Sequence, residues 1–199
     1  MSAELIPYIT EARPDTGLTN GKIGIWCFLA SEVMLFGAFF ASYIVLRTSA
    51  VEWPHGSSIL NVPLATVNTV VLISSSVTMV MAWASLMRND LSKYRLFLGL
   101  TVMFGFCFLG IKTVEYSAKF EHGLLPSTNN FMAIYFIMTG LHGLHVIGGM
   151  IVNAYFLFAA PSYWEHDREL LANRVENSGL FWHFVDLVWI FLFPILYLL

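Results

Sequence analysis

Five apolar stretches of about 20 residues run through this chain and restrict what it can fold into. A segment needs roughly 20 mostly apolar residues to cross about 30 Å of hydrocarbon as an α-helix. We therefore predict an all-α integral membrane bundle of five transmembrane helices within residues 23–199, preceded by a polar N-terminal segment, residues 1–22. The predicted spans are residues 23–46, 64–87, 96–116, 131–158 and 180–199.

The composition agrees that lipid is the main solvent. The chain is 57% hydrophobic and 12% charged, with a mean hydropathy of +0.70, whereas soluble domains carry about 25% charged residues. A net charge of −3 is too small to indicate a nucleic-acid partner. Cys27 and Cys107 fall inside apolar spans, so we expect two buried, small apolar side chains and no disulfide.

The distribution of lysine and arginine predicts an orientation. Five crossings place seven basic residues at the N-terminal side of the membrane: Arg13, Lys22, Arg88, Lys93, Arg95, Arg168 and Arg174. The opposite side holds Arg47, Lys119 and Lys112, and Lys112 is close enough to a span end for its ammonium to reach the interface. The positive-inside rule then places the N-terminus in the cytoplasm and the C-terminus outside. Residues 1–22 lack the features of a secretory signal, so we expect the first span to remain in the protein.

Glu32 is the one ionisable acidic or basic residue in the first span. An ionised side chain near the bilayer centre costs about 2.5 to 3.5 kcal/mol on insertion scales, so an acid at this depth faces protein or water, stays protonated or has a partner. Burial disfavours the charged form. We predict that Glu32 is protonated and packed against another helix, with a role in proton uptake or in packing.

The fourth span contains His142 and His145 among several glycines. Residues three apart lie on one helix face, and glycines allow a neighbouring helix to approach closely. A zinc site needs three or four ligands, and no carboxylate stands at metal spacing on this helix. We therefore predict interhelical hydrogen bonds and no bound metal or haem. The remaining histidines are His55, His122 and His166 in connections and His183 in the fifth span.

In the fifth span, His183 and Asp186 are also three residues apart, so we predict that they pair with each other. Glu115, at the end of the third span, is a further candidate for an interhelical polar contact. A proton relay needs polar groups across the whole membrane, and too few are visible, so mutual satisfaction of buried groups is the simpler interpretation. The hydroxyl residues Ser74, Ser75, Ser76 and Thr78 indicate a close-packing helix face.

Taken together, these segments resemble subunit III of the haem-copper cytochrome c oxidases. The resemblance runs from about residue 21 to the C-terminus. The matching strings are Ser31-Glu32-Val33, Asn68-Thr69, Glu115-Tyr116, His142-Gly143-Leu144-His145-Val146-Ile147-Gly148 and Trp182-His183-Phe184-Val185-Asp186-Leu187-Val188-Trp189. The last two of these strings are long enough to be specific.

The resemblance implies a subunit with no catalytic residue and no redox centre of its own. It would pack against subunit I, which holds the haems and copper, beside subunit II and further small subunits in the bacterial cytoplasmic membrane. In that family the subunit supports assembly, proton uptake and sustained turnover, binds ordered phospholipids and carries a membrane-buried glutamate that corresponds to Glu32. Membership of a respiratory supercomplex is a further implied assembly.

One departure from the longer family members bears on the lipid site. Those members have seven helices, and their first two form an arm across a lipid-filled cleft, whereas this sequence begins at what corresponds to the third helix. Resemblance to the short members implies that subunit I supplies the missing pair as an extension.

Two other functions stay open at this point. A quinol oxidase has an equivalent subunit, whose relatives often place Asp where this chain has Glu32, so the glutamate favours cytochrome c as the electron donor. A stand-alone proton-coupled transporter built around Glu32 and the histidines is the second alternative. Stoichiometric haem and copper subunits in a co-purification would support the oxidase, and a solitary active chain would support the transporter.

Overall fold

The computed structural model describes residues 13–199, and helices account for most of that part of the chain. Each of the five long helices is long and apolar enough to cross a membrane. The prediction of an all-α bundle with five spans is confirmed, while residues 1–12 of the predicted N-terminal segment lie outside the described residues. The helices are α1 (Asn20–Ser49), the one-turn α2 (Gly56–Ile59), α3 (Val62–Met87), α4 (Leu91–Glu121), α5 (Asn130–His166) and α6 (Arg168–Phe193), followed by a π-helical turn (Pro194–Leu198).

Every long helix begins at a side chain that caps it. In each case an oxygen of the capping residue accepts a hydrogen bond from the backbone N–H three residues later. Such a cap satisfies one of the N–H groups that the first helical turn leaves without a partner. The helix starts therefore follow from local sequence. The capping residues are Thr19, Asn61, Asp90, Asn129 and Asp167.

The helices extend beyond the apolar spans. Helix α5 has 37 residues, which corresponds to about 55 Å and exceeds the hydrocarbon thickness of about 30 Å. Residues 161–179, predicted to be a connection, instead form the end of α5 and the start of α6, with Pro161 inside α5 and Asp167 alone between the helices. Polar residues in this stretch mark where the hydrocarbon ends, because a helix in water or headgroups no longer needs an apolar surface.

Helices α3, α4, α5 and α6 pack around a common core, and α1 lies outside this group against α5 and α6. Helix α1 buries only the edge formed by Leu29, Phe36 and Tyr43. The expectation that the cysteines are buried is wrong, since Cys27 on α1 and Cys107 on α4 are both exposed free thiols. Both lie on outward helix faces, which an apolar solvent allows without cost.

The Pro194–Leu198 turn is held beneath the connection between α1 and α3. The Tyr43 hydroxyl donates a hydrogen bond to the Ile195 carbonyl at 3.0 Å. A Cβ atom on Gly56 would lie 1.9 Å from the Leu196 carbonyl oxygen, so only glycine permits this approach. The end of the described chain is thus packed into the bundle and brings Tyr197 to the core.

Trp182 fills the centre of the four-helix core and is fully buried. Two glycines make room for its indole: a Cβ atom on Gly149 would lie 2.8 Å from Trp182 Cε3, and one on Gly105 would lie 3.2 Å from Trp182 Cη2. The indole N–H donates to Ser75 Oγ on α3 at 3.1 Å. One side chain of α6 therefore joins α3, α4 and α5.

We expect Gly149→Ala to destabilise the bundle by about 1 to 3 kcal/mol, because the added methyl group overpacks the core against the Trp182 ring. Gly143→Ala is the matched control on the same helix, since a Cβ atom there meets nothing within 4 Å. The measurement is the unfolding temperature of the purified membrane protein in detergent. Equal unfolding temperatures for the two variants would contradict the packing described here.

Candidate functional site

The half-buried polar pair Glu32–His145 joins α1 to α5. Glu32 Oε2 and His145 Nε2 lie 2.8 Å apart, and the two side chains are 13% and 15% exposed. The rings of Phe36 and Phe181 lie 5.3 and 6.3 Å from the imidazole. Glu32 therefore has a polar partner on a neighbouring helix and an otherwise aromatic environment.

Hydrogen-bond geometry limits the protonation of this pair. His145 Nδ1 lies 2.8 Å from the Leu141 carbonyl oxygen, which can only accept, so Nδ1 carries a hydrogen. The contact between His145 Nε2 and Glu32 Oε2 then needs one further proton, held either by the carboxyl or by the imidazole. In both arrangements the pair shares one proton and has no net charge, which suits its position inside a membrane.

His142 points in a different direction from His145. It is fully buried, and its ring stacks on Trp189 at 5.2 Å between centroids and meets the Phe108 ring edge-on at 5.6 Å. Neither ring nitrogen has a hydrogen-bond partner among the described residues. The predicted interhelical hydrogen bond is thus present at His145 and absent at His142, because a separation of three residues turns the side chains by about 60° relative to each other.

The predicted pair between His183 and Asp186 does not form. His183 Nδ1 instead lies 2.5 Å from Ser76 Oγ on α3, and both carboxyl oxygens of Asp186 lack a hydrogen-bond partner in the described part of the chain. The Ser76 hydroxyl, which is engaged with His183, also lies near that carboxyl. The physical reason is again rotation around α6, which turns the half-buried imidazole towards α3 while the carboxyl stays in the core.

Lys112, Glu115 and Lys119 form a buried charged cluster on one face of α4. Lys112 Nζ lies 2.9 Å and Lys119 Nζ 3.5 Å from the Glu115 carboxylate, and all three side chains are at most 10% exposed. The expectation that Lys112 reaches the interface is therefore wrong. Both ammonium groups pair with the Glu115 carboxylate three or four residues away on the same helix. Because such a pair forms within the bundle, the lysine side chain does not extend to the lipid headgroups.

Two tyrosines from other helices complete this cluster. The hydroxyls of Tyr197 and Tyr135 donate to the Glu115 carboxylate at 2.8 and 3.1 Å. Lys112 Nζ donates to the Tyr197 hydroxyl at 2.5 Å and lies 4.5 Å from the centroid of the Trp189 ring. Glu115 is thus an interhelical polar contact that ties α4 to α5 and to the last turn of the described chain.

The polar side chains of this region join neighbouring helices through hydrogen bonds and ion pairs. Residues 13–199 contain no group of three or more His, Cys, Asp or Glu side chains that could hold a metal ion. The sequence singled out Glu115, Glu32 and the histidines but missed Tyr135 and Tyr197, which lie 20 and 82 residues from Glu115 along the chain. The sequence feature that could have predicted this cluster is the spacing of Lys112, Glu115 and Lys119, which places the three side chains on one helix face.

These features define a multi-pass helical membrane protein whose polar residues serve helix association. Comparison with known proteins then identifies it further: the family model described as cytochrome c oxidase subunit III matches residues 13–199. The chain belongs to the cytochrome c oxidase subunit III family.

Several relatives match over most of their length. Cytochrome c oxidase subunit 3 of a Bacillus species (strain PS3) is 30% identical, with 100% of this chain and 95% of the relative covered. The subunit of the same name from Synechocystis is 36% identical, with coverages of 88% and 74%. Cytochrome bo(3) ubiquinol oxidase subunit 3 of Pseudomonas aeruginosa is 32% identical, with coverages of 90% and 85%.

We expect Glu115→Gln to destabilise the protein by about 3 to 5 kcal/mol, because it leaves two buried ammonium groups without a counter-charge. Asp90→Asn is the matched control: it removes the exposed ion pair with Lys93 but keeps an effective helix cap, so we expect little change. The stability of each variant is measured as the fraction of the subunit that the membrane complex retains during detergent treatment. Equal retention of the two variants would show that the cluster contributes no stability.

A second prediction concerns bound metals and haem. The purified chain, separated from its partners, should hold no haem, copper or zinc in stoichiometric amount, because residues 13–199 contain no group of three or more His, Cys, Asp or Glu side chains that could hold a metal ion, and a zinc site needs three or four ligands. Elemental analysis and an absorption spectrum check this. One tightly held ion per chain that survives mild chelation would contradict it.

Proposed function

We propose that this chain is the non-catalytic subunit III of a proton-pumping terminal oxidase that oxidises cytochrome c and reduces oxygen to water. The observation that carries the proposal is the family match over residues 13–199. In this role the chain supports assembly, proton uptake and sustained turnover of a catalytic subunit I. The haems and copper belong to that partner and to subunit II, and the assembly extends to further small subunits and a respiratory supercomplex.

The names of the relatives include two different electron donors. Relatives named for cytochrome c and relatives named for ubiquinol have similar identities to this chain, between 30% and 36%. Glu32, where quinol-oxidase relatives often carry Asp, favours cytochrome c. A quinol oxidase is therefore the second candidate, and reduction of the purified complex by cytochrome c or by a quinol would distinguish them.

The surface of α1 supports a role inside a larger complex. In the most apolar stretch of α1, only 11% of the residues are buried within the chain. The corresponding stretch of Arg168–Leu198, which contains α6, has 50% of its residues buried. Two adjoining apolar grooves of about 650 and 350 Å³ lie between these helices and share Val33, Phe184 and Leu187. We propose that phospholipid chains and helices supplied by subunit I cover this face.

We place the protein in the bacterial cytoplasmic membrane with its N-terminus in the cytoplasm. The bias of basic residues supports this orientation, since Lys112 and Lys119 on the proposed outer half are paired with Glu115. The polar residues of the bundle have different proposed roles. The Glu32–His145 pair holds one proton at the edge of the bundle. His142 and Asp186 instead act through packing and assembly.

Deletion of this subunit tests the proposal. Haem spectra and the initial rate of oxygen consumption should stay close to normal, because the redox centres lie elsewhere. Activity should then decline over many turnovers and proton pumping should weaken, because slow proton delivery leaves reactive oxygen intermediates unprotonated for longer. The measurement is oxygen uptake and proton release by complexes with and without the chain.

Re-addition of the subunit to the depleted complex is the control and should restore lasting turnover. Immediate and complete loss of activity in a spectrally normal complex that lacks the chain would show a direct catalytic role. A solitary chain that transports protons without haem or copper subunits would instead support the transporter alternative.

A further inference from the structure

Ser76 on α3 lies beside two titratable side chains of α6. Its hydroxyl oxygen is 2.5 Å from His183 Nδ1, and the same hydroxyl lies near the Asp186 carboxyl. His183 and Asp186 are three residues apart, so they occupy neighbouring positions on one face of α6. One hydroxyl group of α3 therefore adjoins both the imidazole and the carboxyl.

The Asp186 carboxyl can reach this hydroxyl by rotation. Neither of its oxygens makes a hydrogen bond within residues 13–199 in the present arrangement. The last side-chain torsion of an aspartate is broad, so a modest rotation costs little. Such a rotation lets the Ser76 hydroxyl bond to the carboxyl while it keeps its contact with His183, because a hydroxyl donates one hydrogen bond and accepts others.

His183 connects these groups to a groove between α3 and α6. The groove has a volume of about 110 Å³, and both His183 and Glu176 line it. This volume exceeds the roughly 10 to 15 Å³ that one water molecule needs. The imidazole is half-buried and its Nδ1 is engaged with Ser76, so Nε2 is the atom that water in the groove can reach.

Glu176 marks the end of the groove that meets water. It stands seven residues before His183, about 10.5 Å along α6. Its carboxylate pairs with Lys22 at 2.6 Å, and the two side chains are 35% and 29% exposed. Because an exposed ion pair is costly in hydrocarbon, this level of the bundle lies at water or headgroups. Water therefore enters the groove from the end of the bundle that carries Lys22.

We propose that His183 and Ser76 form a proton-exchange path between this groove and the buried Asp186 carboxyl. The path ends at Asp186, since within residues 13–199 no further hydrogen-bond partner continues from its oxygens. It thus sets the protonation of a residue that acts in packing, and it carries no proton across the membrane.

Each transfer along the path conserves protons. Water in the groove gives a proton to His183 Nε2, the Nδ1 hydrogen passes to Ser76 Oγ, and the Ser76 hydroxyl hydrogen passes to the Asp186 carboxylate. One proton leaves the water and one arrives at the carboxylate. The imidazole ends neutral with its hydrogen on Nε2, and the hydroxyl is restored. The reverse sequence returns the proton to water.

Infrared spectroscopy of the intact oxidase during transfer to heavy water tests the path. Asp186→Asn should remove one protonated-carboxyl band and so identify it. Ser76→Ala and His183→Phe should each slow deuterium exchange of that band by about tenfold or more, which corresponds to about 1.4 kcal/mol added to the barrier. A merely structural role of Ser76 or His183 would not change this exchange rate.

Two further serine variants serve as controls. Ser76→Thr keeps the hydroxyl and should exchange at nearly the unmodified rate. Ser74→Ala should also leave the rate unchanged, because the Ser74 hydroxyl donates to the Val70 carbonyl of its own helix at 2.8 Å. Unchanged exchange in Ser76→Ala and His183→Phe, equal slowing in Ser74→Ala, or the absence of a band that depends on Asp186 would each overturn the proposal.

A density map of the unmodified complex decides the question if these variants fail to assemble. We expect Ser76 Oγ within hydrogen-bond distance of both His183 Nδ1 and an Asp186 carboxyl oxygen. A carboxyl that bonds to a different side chain, or a Ser76 hydroxyl turned away from His183, would overturn the path.

Discussion

Polar groups inside a bilayer must find partners within the protein, and the packing of this bundle depends on that requirement. The hydrophobic effect does not drive helices together in lipid, so close packing and interhelical hydrogen bonds do so. Here most long-range polar contacts join different helices: Glu32 with His145, Ser76 with His183, and Glu115 with Tyr197. The same contacts that satisfy buried groups therefore fix which helices are neighbours.

Two tryptophans on α6 organise the core around these contacts. Each indole fills space that an aliphatic side chain would leave empty, and each N–H reaches a hydroxyl on α3. Gly105 and Gly149 allow Trp182 to reach this depth. Trp189 in addition lies against His142 and Lys112, so it lies between the His142 imidazole and the charged cluster.

Hydropathy was enough to predict the five membrane-spanning helices, because helix formation in a membrane depends mainly on local composition. The partners of the polar residues were not predictable in the same way. Glu32 could be expected to need a partner, but a small rotation around α5 decides that His145 meets it and His142 does not. Lys112 could have paired with Glu115 and still pointed towards the interface; what holds its ammonium inside the bundle is also the hydroxyl of Tyr197, which lies 85 residues away in the sequence.

The position of the Glu32–His145 pair limits how its shared proton can exchange. Within the chain the imidazole is surrounded by the rings of Phe36 and Phe181, which neither accept nor donate a proton. The remaining exposure of the pair, 13% and 15%, is at the edge of the bundle. The exposed edge of the pair is therefore the side on which a proton can reach it, and this side belongs to the face of α1 that the rest of the chain leaves uncovered.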